Sequence, residues 1–363
     1  MHNNEDAPRF KLCMMCYPYY PSKNTGRGHD RYISELTQNI EKIHAGIKLR
    51  LLQQGCSKGV LTAGIKHFKF IYDLLTTKAD VYHAISPIGG ATAAILGKSP
   101  LIITIHDLVP FNLKGYDYSW KYWYVRLCIK ISVKRSSAIV VPYKVTKDEI
   151  VTRFGIPESK IYVVNYGVDH ALYHPRTSVK RENRKILYIG EVSRSKGVDS
   201  LIRAFGIVKQ FMAEAELVIA GKRSRDQPFL EEMVNEMGLN NVTFEGYIPE
   251  NELSGYYSTA TVMIFPSRCG FGLSTLEAMA CGTPVIVGAV LDAPEFLSDA
   301  GILVNPNDID QIAKSILKVL TEPELRGQLS AKAIERAGEF SWEKMSEKTV
   351  EVYRDVLEKI QKK

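Results

Sequence analysis

Short apolar segments alternate with longer amphipathic ones along the chain, and no other feature restricts the fold as strongly. The apolar segments have the length of buried strands, and the segments between them have the length of helices. The predicted strands are residues 11–17, 47–52, 80–85, 101–105, 138–142, 161–164, 185–190, 216–220, 242–245, 261–265 and 284–287. Strands that alternate with helices are typical of parallel sheets joined by right-handed crossovers. The sequence therefore predicts an α/β fold.

The strands fall into two series, which the polar stretch 168–184 separates. A chain of 363 residues suits two domains of ~150–200 residues each. We expect two doubly wound, Rossmann-like domains that face a central cleft, because ligands of such sheets bind beyond the carboxyl ends of the strands. The predicted division is an N-terminal domain at 1–168, a C-terminal domain at 169–340 and, at 341–363, a helix that crosses back to the N-terminal domain.

Neither a transmembrane helix nor a secretion signal is expected. The chain has no run of ~18 apolar residues. Its first residues, MHNNEDAPRF, lack the apolar core of a signal peptide. Six cysteines in a chain of this size suit reduced thiols in the cytosol. We predict a cytoplasmic protein, with peripheral attachment at the inner face of the membrane as an alternative.

The net charge of +7 is distributed unevenly, since lysine and arginine exceed aspartate and glutamate in residues 1–175, whereas the acidic residues are in slight excess in 176–363. This basic half predicts an anionic partner. Within it, residues 118–135 mix aromatic, aliphatic and cationic side chains over a helical span. The segment is either an ordinary helix with a solvated face or an interfacial helix that contacts an anionic membrane. Nucleic acid is not an expected partner, because no base-reading or base-stacking motif is present.

Two strand ends in the first half carry candidate binding residues. After the first strand, Gly26 and Gly28 permit close approach of a ligand to the backbone, and Asp30 is the predicted N-cap of the next helix. A third glycine is missing, so a dinucleotide site is disfavoured. After strand 101–105, His106 and Asp107 come at the strand's carboxyl end. A histidine there is able to bind a substrate hydroxyl or move a proton, or else it stabilises the loop.

The second series has a cationic strand end. Arg194 and Lys196 lie in the serine-containing turn EVSRSKGV after strand 185–190, which opens a helix. Two cations with helix N-terminal amides form a clamp for a diphosphate, whereas the alternative is a solvated loop. The order of residues is not that of a Walker A loop. Glycines also end the next two strands, and Tyr247 follows the second of them as a candidate neighbour of a nucleobase.

The stretch after strand 261–265 reads PSRCGFGLSTLEAMACGTPVIVG and contains a single glutamate. Its glycines predict a tight turn, and Ser274 and Thr275 begin a helix whose amides suit an anion. Glu277 is predicted to accept hydrogen bonds from two vicinal hydroxyls, as on a ribose, or else to stabilise the helix dipole. Farther on, Asp308 and Asp310 form a D-x-D that we interpret as helix capping, so no metal site is expected.

GFGLSTLEAMACGTPVIVG closely resembles the donor-site signature of family 4 retaining glycosyltransferases of the GT-B fold. The resemblance extends over most of the chain and is most specific in its C-terminal half. The other matching segments, in order, are the N-terminal glycine loop, HDLVP, YIGEVSRSKGVDSLIRAF, LVIAGKR, FEGYIPENELSGYYSTATVMIFPS, APEFLSDAGILVNPND and FSWEKM.

This resemblance implies roles for individual residues. The catalytic residues would be His106 near the transferred sugar, Lys196 at the donor diphosphate, and Arg194 as an additional cation. The implied donor-binding residues are Gly28, Ser193, Tyr247, Cys269, Gly270, Phe271, Gly272, Leu273, Ser274, Thr275 and Glu277. The predicted acceptor-binding residues are Arg27, Asp30, Tyr32 and Asp107.

Two positions depart from the family pattern. Glu191 stands where relatives carry a basic residue of the phosphate clamp, and we expect Arg194 to supply the missing charge. Cys269 replaces the first glutamate of the E-x7-E motif that ends at Glu277. A thiol is a poor acceptor of hydrogen bonds, so the contact with a sugar hydroxyl is expected to differ.

The resemblance implies a retaining, metal-independent transferase without a cofactor. The first expectation is transfer of mannose from GDP-mannose to a hydroxyl of a glycan, a lipid-linked molecule or a small molecule. The alternatives are a UDP-hexose-dependent glucosyltransferase or N-acetylhexosaminyltransferase, a phosphorylase, and an inactive protein that only binds nucleotide.

Overall fold

A computed structural model describes residues 10–19, 28–44, 46–55, 60–112, 120–176, 181–182, 184–270 and 272–362. The chain divides into two compact units. Unit 1 comprises Met1–Gly167 and Trp342–Lys363, and unit 2 comprises Val168–Ser341.

Each unit contains a six-stranded parallel sheet, with helices in the connections. The strands are β1 (Phe10–Tyr19), β2 (Ile47–Gly55), β3 (Val81–Ala84), β4 (Leu101–Thr104), β5 (Ala138–Val141), β6 (Ile161–Val163), β7 (Lys185–Ile189), β8 (Glu216–Ala220), β9 (Val242–Gly246), β10 (Val262–Phe265), β11 (Val285–Gly288) and β12 (Ile302–Val304). The predicted α/β class is confirmed.

The helices of the described residues mostly follow the strands in turn. They are α1 (Gly28–Ile43), α2 (Val60–Thr76), α3 (Pro87–Ile95), α4 (Val109–Asn112), α5 (Trp120–Arg135), α6 (Lys144–Phe154), α7 (Val198–Phe211), α8 (Gln227–Glu236), α9 (Glu250–Thr259), α10 (Leu273–Ala280), α11 (Ala293–Leu297), α12 (Ile309–Thr321), α13 (Pro323–Gly338) and α14 (Trp342–Gln361). None of them has the length and hydropathy needed to cross a membrane.

The two sheets have different strand orders. In unit 1 the order is β2-β1-β3-β4-β5-β6, which reverses direction between β1 and β3. In unit 2 it is β12-β11-β10-β7-β8-β9, which reverses between β7 and β10. Open parallel sheets bind ligands beyond the carboxyl ends of the strands at such a reversal. We therefore expect the ligand-binding site of unit 2 at the loops after β7 and β10.

One strand was not predicted from the sequence. β12 covers only Ile302–Val304, between Gly301 and Asn305, and pairs with β11 at the edge of the sheet. Three apolar residues are too few for a periodic signal, so the helical segments on either side mask the strand. By contrast, Asp308 caps α12 as predicted, because its Oδ1 accepts a hydrogen bond from the Gln311 amide at 2.9 Å.

The last helix packs within unit 1. Tyr353 of α14 is fully buried, with its ring edge-to-face on Phe10 at a centroid distance of 6.2 Å. Its hydroxyl lies 2.7 Å from His83 Nδ1. At the far end of the helix, Lys359 Nζ donates to Asp355 and to the hydroxyl of Tyr162 at 2.7 and 2.9 Å. α14 is thus held to the sheet of unit 1 by buried aromatic packing and by polar contacts.

Candidate functional site

The loops after β7 and β10 are joined directly at the strand-order reversal of unit 2. The backbone amide of Arg268 donates to the carbonyl oxygen of Ser195 at 3.1 Å. Gly197, at φ +76°, permits the close approach, because a Cβ at this position would lie 1.9 Å from the carbonyl oxygen of Pro266. The two loops therefore form one rigid rim at the carboxyl ends of β7 and β10.

A third loop, the one after β8, packs on this rim. Gly221 has φ +130°, and a Cβ there would lie 1.8 Å from the carbonyl oxygen of Gly190. The amide of Gly221 donates to the carbonyl of Gly246 at 2.7 Å, so the end of β9 is hydrogen-bonded to the loop after β8. Tyr247 follows and is 45% exposed, so its ring is accessible from solvent. Of the two predicted strand-end glycines, Gly221 thus permits close backbone packing, whereas Gly246 has open space around it and a φ of +77°.

Lys196 is the available cation of the β7 loop. Ser193 precedes a single 3₁₀ turn, Arg194–Lys196, and its hydroxyl lies 3.0 Å from that of Ser195. Lys196 Nζ lies 5.9 Å from the ring centroid of Phe265. Among the described residues, no carboxylate forms an ion pair with Lys196. Its charge is therefore not neutralised within this part of the chain.

Arg194 differs from its neighbour, because it is already engaged. Its Nε lies 3.5 Å from Asp226 Oδ1, and its guanidinium lies over the ring of Phe229 at 5.3 Å. Its backbone amide also donates to Asp226 at 2.8 Å. Because the side chain of Arg194 is 59% exposed and the ion pair is a surface one, the expectation that Arg194 supplies the charge missing at Glu191 stays a prediction. Asp226 and Phe229 hold the guanidinium next to α8.

Arg268 is a key residue that the sequence did not single out. Its guanidinium forms a bidentate ion pair with Asp199 of α7, at 2.7 and 3.1 Å. It also donates to Ser200 Oγ at 2.6 Å and to Asn307 Oδ1 at 2.7 Å. Arg268 thereby ties the β10 loop to the beginning of α7. The partner lies 69 residues away in sequence, so no local motif could have shown the pair.

Cys269 faces the β7 loop. Its thiol is partly buried, and Sγ donates to the Ser195 carbonyl at 3.5 Å. Sγ also lies 3.7 Å from Ser267 Oγ, which accepts a hydrogen bond from the Cys269 amide at 3.2 Å. The thiol is a donor toward a carbonyl here. A carboxylate has no proton to donate, so a glutamate at this position could not make the same contact.

The helix α10 begins directly after the glycine turn. Gly270 is buried with φ +93°, and Gly272 precedes the first helical residue, Leu273. The first turn contains Ser274, which is partly buried, and Thr275, which is fully buried. Thr275 Oγ1 has no hydrogen-bond partner within the described residues.

Some predicted residues lie outside the described part of the chain. They are Phe271 of the donor signature, Gly26 of the first glycine loop and Arg27 of the predicted acceptor site.

Glu277 is held in place by a buried tyrosine. Glu277 is 7% exposed, and the hydroxyl of Tyr257 donates to Oε2 of its carboxylate at 2.7 Å. Tyr257 belongs to α9 and is fully buried. Burial, followed by the nearby Glu277 charge, raises the pKa of its phenol well above the usual value. The phenol therefore remains a donor at neutral pH and fixes one oxygen of the carboxylate.

Unit 1 has its own polar group after β4. His106 Nδ1 lies 2.7 Å from the hydroxyl of Tyr166, and the ring of Tyr32 meets the imidazole edge-to-face at 4.9 Å. Asp107 is exposed, and its Oδ1 accepts a hydrogen bond from the Val109 amide at 3.0 Å, which starts α4. The surrounding aromatic rings therefore fix the plane of the imidazole.

Two predictions for unit 1 need correction. Tyr32 is 1% exposed and its hydroxyl faces Thr104 Oγ1 at 3.4 Å, so its burial argues against direct contact with an acceptor. Instead, the ring of Tyr32 packs against the imidazole of His106. Asp30 is not the N-cap of α1, because the helix begins at Gly28 and places Asp30 in the first turn. An acidic residue there still interacts favourably with the helix dipole.

Within the described residues, no group of three or more His, Cys, Asp or Glu side chains is arranged to hold a metal ion. Cys13 and Cys16 are both buried on β1, and burial raises the pKa of the Cys13 thiol to about 12. These two cysteines are packing residues, as the strand pattern indicates.

Sequence comparisons identify the family. Residues 171–336 match the family described as glycosyl transferases group 1, and residues 33–172 match glycosyltransferase family 4. Both families are glycosyltransferases, and together the two matches cover residues 33–336, so the chain is a glycosyltransferase enzyme. The matched regions fall mainly on unit 2 and unit 1, respectively.

Particular relatives agree with this assignment. The chain is 27% identical to O-antigen chain mannosyltransferase B of Escherichia coli over 70% of each protein. Its fold is similar to that of sucrose-phosphate synthase from Thermosynechococcus elongatus, with a TM-score of 0.81, 21% identity and coverage of 96% and 99% of the two chains. Anabaena HepE in complex with UDP and glucose gives a TM-score of 0.75 at 16% identity, covering 96% of this chain and all of that one. The fold is therefore GT-B.

Proposed function

We propose that this enzyme transfers a hexose from a nucleotide sugar to a hydroxyl group, with retention of anomeric configuration and without a metal ion. One observation carries the proposal: the segments that follow β7 and β10, at the strand-order reversal of unit 2, carry a lysine, a helix N-terminus and a carboxylate oriented by a tyrosine. Within the described residues, the lysine forms no ion pair with a carboxylate. These groups are complementary to a nucleotide sugar, which has a dianionic diphosphate and a ribose diol.

Each group has a chemical role in the proposal. Lys196 and the first amides of α10 stabilise the charge that grows on the leaving diphosphate as the bond to the sugar breaks. Ser274, which is partly buried, adds a hydroxyl group at the same helix end, whereas the hydroxyl of Thr275 is fully buried. Glu277 binds the ribose through charge-assisted hydrogen bonds. The Tyr257 hydroxyl holds the carboxylate before the donor arrives, which lowers the entropic cost of binding. Ser193 and Tyr247 would border the diphosphate and the base.

The proposed donor is GDP-mannose, with a UDP-hexose as the second candidate. The mannosyltransferase among the relatives supports the first choice, and the UDP-bound structural neighbour supports the second. The acceptor would be a glycan, a lipid-linked molecule or a small molecule. We propose that unit 1 serves the acceptor, with His106 and Asp107 beside the reacting hydroxyl and the imidazole fixed by Tyr166 and Tyr32.

The experiment that tests the proposal does not require the acceptor. The enzyme is incubated with GDP-mannose, UDP-glucose or UDP-N-acetylglucosamine in the presence of a chelator, and NMR follows release of nucleoside diphosphate. Water then serves as a slow acceptor. We expect release from one donor, with the first-formed free sugar keeping the anomeric configuration of the donor. A first-formed sugar of the opposite configuration would refute retention.

The chain offers a matched control for the carboxylate. Glu277 pairs with the buried Tyr257, whereas the exposed Glu245 pairs with the neighbouring Tyr256 at 2.8 Å. We expect Glu277→Gln to lower release by about 10–100-fold, because it removes the charge from a charge-assisted hydrogen bond, and Glu245→Gln to leave it unchanged. Nucleotide binding without release from any donor, in the presence of varied sugar acceptors, would instead favour the inactive, nucleotide-binding alternative.

A further inference from the structure

One face of α2 exposes an apolar stripe. Ile65, Phe68, Tyr72 and Leu75 are 61%, 74%, 67% and 53% exposed. Their spacing of three, four and three residues places them on one side of the helix. The opposite side buries Phe70 and Leu74 in the core. Large contiguous apolar surfaces are uncommon on soluble proteins and mark places of contact.

A second exposed stripe runs along α5. Trp123 is 65% exposed and Leu127 is 38% exposed, and Lys130 and Lys134 continue the same side at helical spacing. The stripe therefore changes from aromatic and aliphatic to cationic along one helix face. It lies within the segment 118–135 that the sequence identified, of which residues 118 and 119 lie outside the described part of the chain.

The two stripes lie on the same side of the sheet of unit 1. Phe70 and Leu74 of α2 belong to one core cluster with Ala93 of α3, and Ile131 of α5 packs against that cluster. Helices that fill one core layer over a sheet cover the same face of it. Between them, α3 exposes Ile95, which is 64% exposed. The apolar side chains of three helices thus contribute to one outer surface, which we call the α2–α5 face.

The charges on this face have one dominant sign. Lys69 is exposed within the α2 stripe, and Lys130, Lys134 and Arg135 are exposed on α5. The sequence of α5 has no acidic residue, and that of α2 has Asp73 alone. Aromatic and aliphatic side chains beside lysines are what an anionic bilayer surface binds, through partial insertion of the apolar groups and attraction of the cations.

We propose that the α2–α5 face docks on an anionic lipid bilayer. The aromatic rings of Phe68, Tyr72 and Trp123 enter the interface between head groups and acyl chains, and the lysines contact the anionic head groups. Docking would bring unit 1 to a membrane-borne acceptor, and only this last consequence rests on the proposed transferase function. Binding to the bilayer itself does not depend on the donor site.

Vesicle flotation tests the proposal on the full chain. Vesicles of phosphatidylcholine alone are compared with vesicles that also contain phosphatidylglycerol, at low and at high salt. We expect the wild type to float with the anionic vesicles at low salt, and to float less at high salt or on neutral vesicles. A wild-type protein that stays in the aqueous fraction under all conditions would overturn the proposal.

Matched variants locate the surface. Phe68→Ser is compared with Phe211→Ser, since Phe211 of unit 2 is also 74% exposed. Phe68→Ser should weaken vesicle binding by about tenfold, because it removes a large apolar group from the interface, and Phe211→Ser should not change it. Equal losses in both variants would refute the assignment to this face.

A second pair of variants tests the cations. Lys130→Glu/Lys134→Glu is compared with Lys314→Glu/Lys318→Glu on α12, where both lysines are exposed at the same spacing. The first double variant should lose more than about 25-fold in affinity, at roughly fivefold per lysine lost. Circular dichroism confirms that each variant is folded. If light scattering shows a wild-type dimer that Phe68→Ser dissociates, and vesicles are not bound, the face is a contact between copies and the lipid proposal is wrong.

Discussion

His83 makes the stability of unit 1 depend on pH in a way that can be calculated. The side chain is fully buried on β3, where Nε2 lies 2.8 Å from Thr104 Oγ1 and Nδ1 lies 2.7 Å from the hydroxyl of Tyr353 on α14. Burial lowers the pKa of the imidazole from 6.5 to about 3 in the folded protein. The neutral ring therefore joins the last helix to the sheet at every pH above that value.

The direction of the effect follows from proton binding. The unfolded chain takes up a proton at His83 below pH ~6.5, whereas the folded protein resists it down to the lower pKa. The free energy of unfolding therefore falls as the pH falls through this window, by about 1.4 kcal/mol per pH unit once the unfolded histidine is protonated. When the pH is lowered from ~7.5 to ~5, the titration of His83 should reduce the free energy of unfolding of unit 1 by about 2 kcal/mol.

The perturbation is His83→Gln, which removes the titration and keeps a side chain able to form hydrogen bonds. Urea unfolding is followed by tryptophan fluorescence, because Trp120, Trp123 and Trp342 all belong to unit 1. We expect the wild type to lose about 2 kcal/mol more than the variant between the two pH values. His174 is an exposed residue of unit 2. His174→Gln should therefore lose as much free energy of unfolding between the two pH values as the wild type does.

Equal pH dependence in the wild type and in His83→Gln would refute the reasoning. It would mean that the folded protein accepts a proton at His83 as readily as the unfolded chain. The buried hydrogen bonds to Thr104 and Tyr353 would then not hold the imidazole neutral.

Three further predictions concern unit 2. Tyr257→Phe should weaken binding of a nucleoside diphosphate by about fivefold in calorimetry, because Glu277 loses one hydrogen bond that orients it; unchanged affinity would show that the carboxylate is held without the phenol. Cys269→Glu should preserve or raise the rate of donor turnover if the sugar pocket works as in relatives, and a large loss would show that the pocket is built around the thiol. Arg268→Met should lower the stability of unit 2 in scanning calorimetry by about 1–3 kcal/mol, because the bond to Asp199 is lost, and an unchanged melting temperature would contradict its role as a tie.

Much of the fold could be predicted from the sequence, because buried parallel strands leave short apolar segments that periodicity detects. The segment 101–105 predicted β4, for example, which the structure places at Leu101–Thr104. The three residues of β12 could not be recognised, because edge strands this short carry no period of their own. The start of α1 was also misplaced, since a glycine at its first residue is a weak helix signal.

The candidate site was predicted in outline and not in its contacts. Strand-end loops are visible in sequence, so Lys196 and Glu277 could be chosen from their positions. The residues that contact the site side chains come from distant segments of the sequence. Asp226 forms an ion pair with Arg194, and Tyr257 donates a hydrogen bond that orients Glu277. Such pairs depend on how β7, β10 and their neighbours are ordered in the sheet. Local spacing carries no information about that order.

The central claim is that unit 2 binds the diphosphate of a nucleotide sugar through Lys196. Isothermal titration calorimetry with GDP and UDP tests it directly on the wild type, on Lys196→Ala and on Lys314→Ala, an exposed lysine of α12. We predict that the wild type binds one of the two nucleotides, that Lys196→Ala loses at least about tenfold in affinity through a missing charge-assisted hydrogen bond, and that Lys314→Ala binds as the wild type does. Equal affinity of Lys196→Ala and the wild type would contradict the assignment of the diphosphate site.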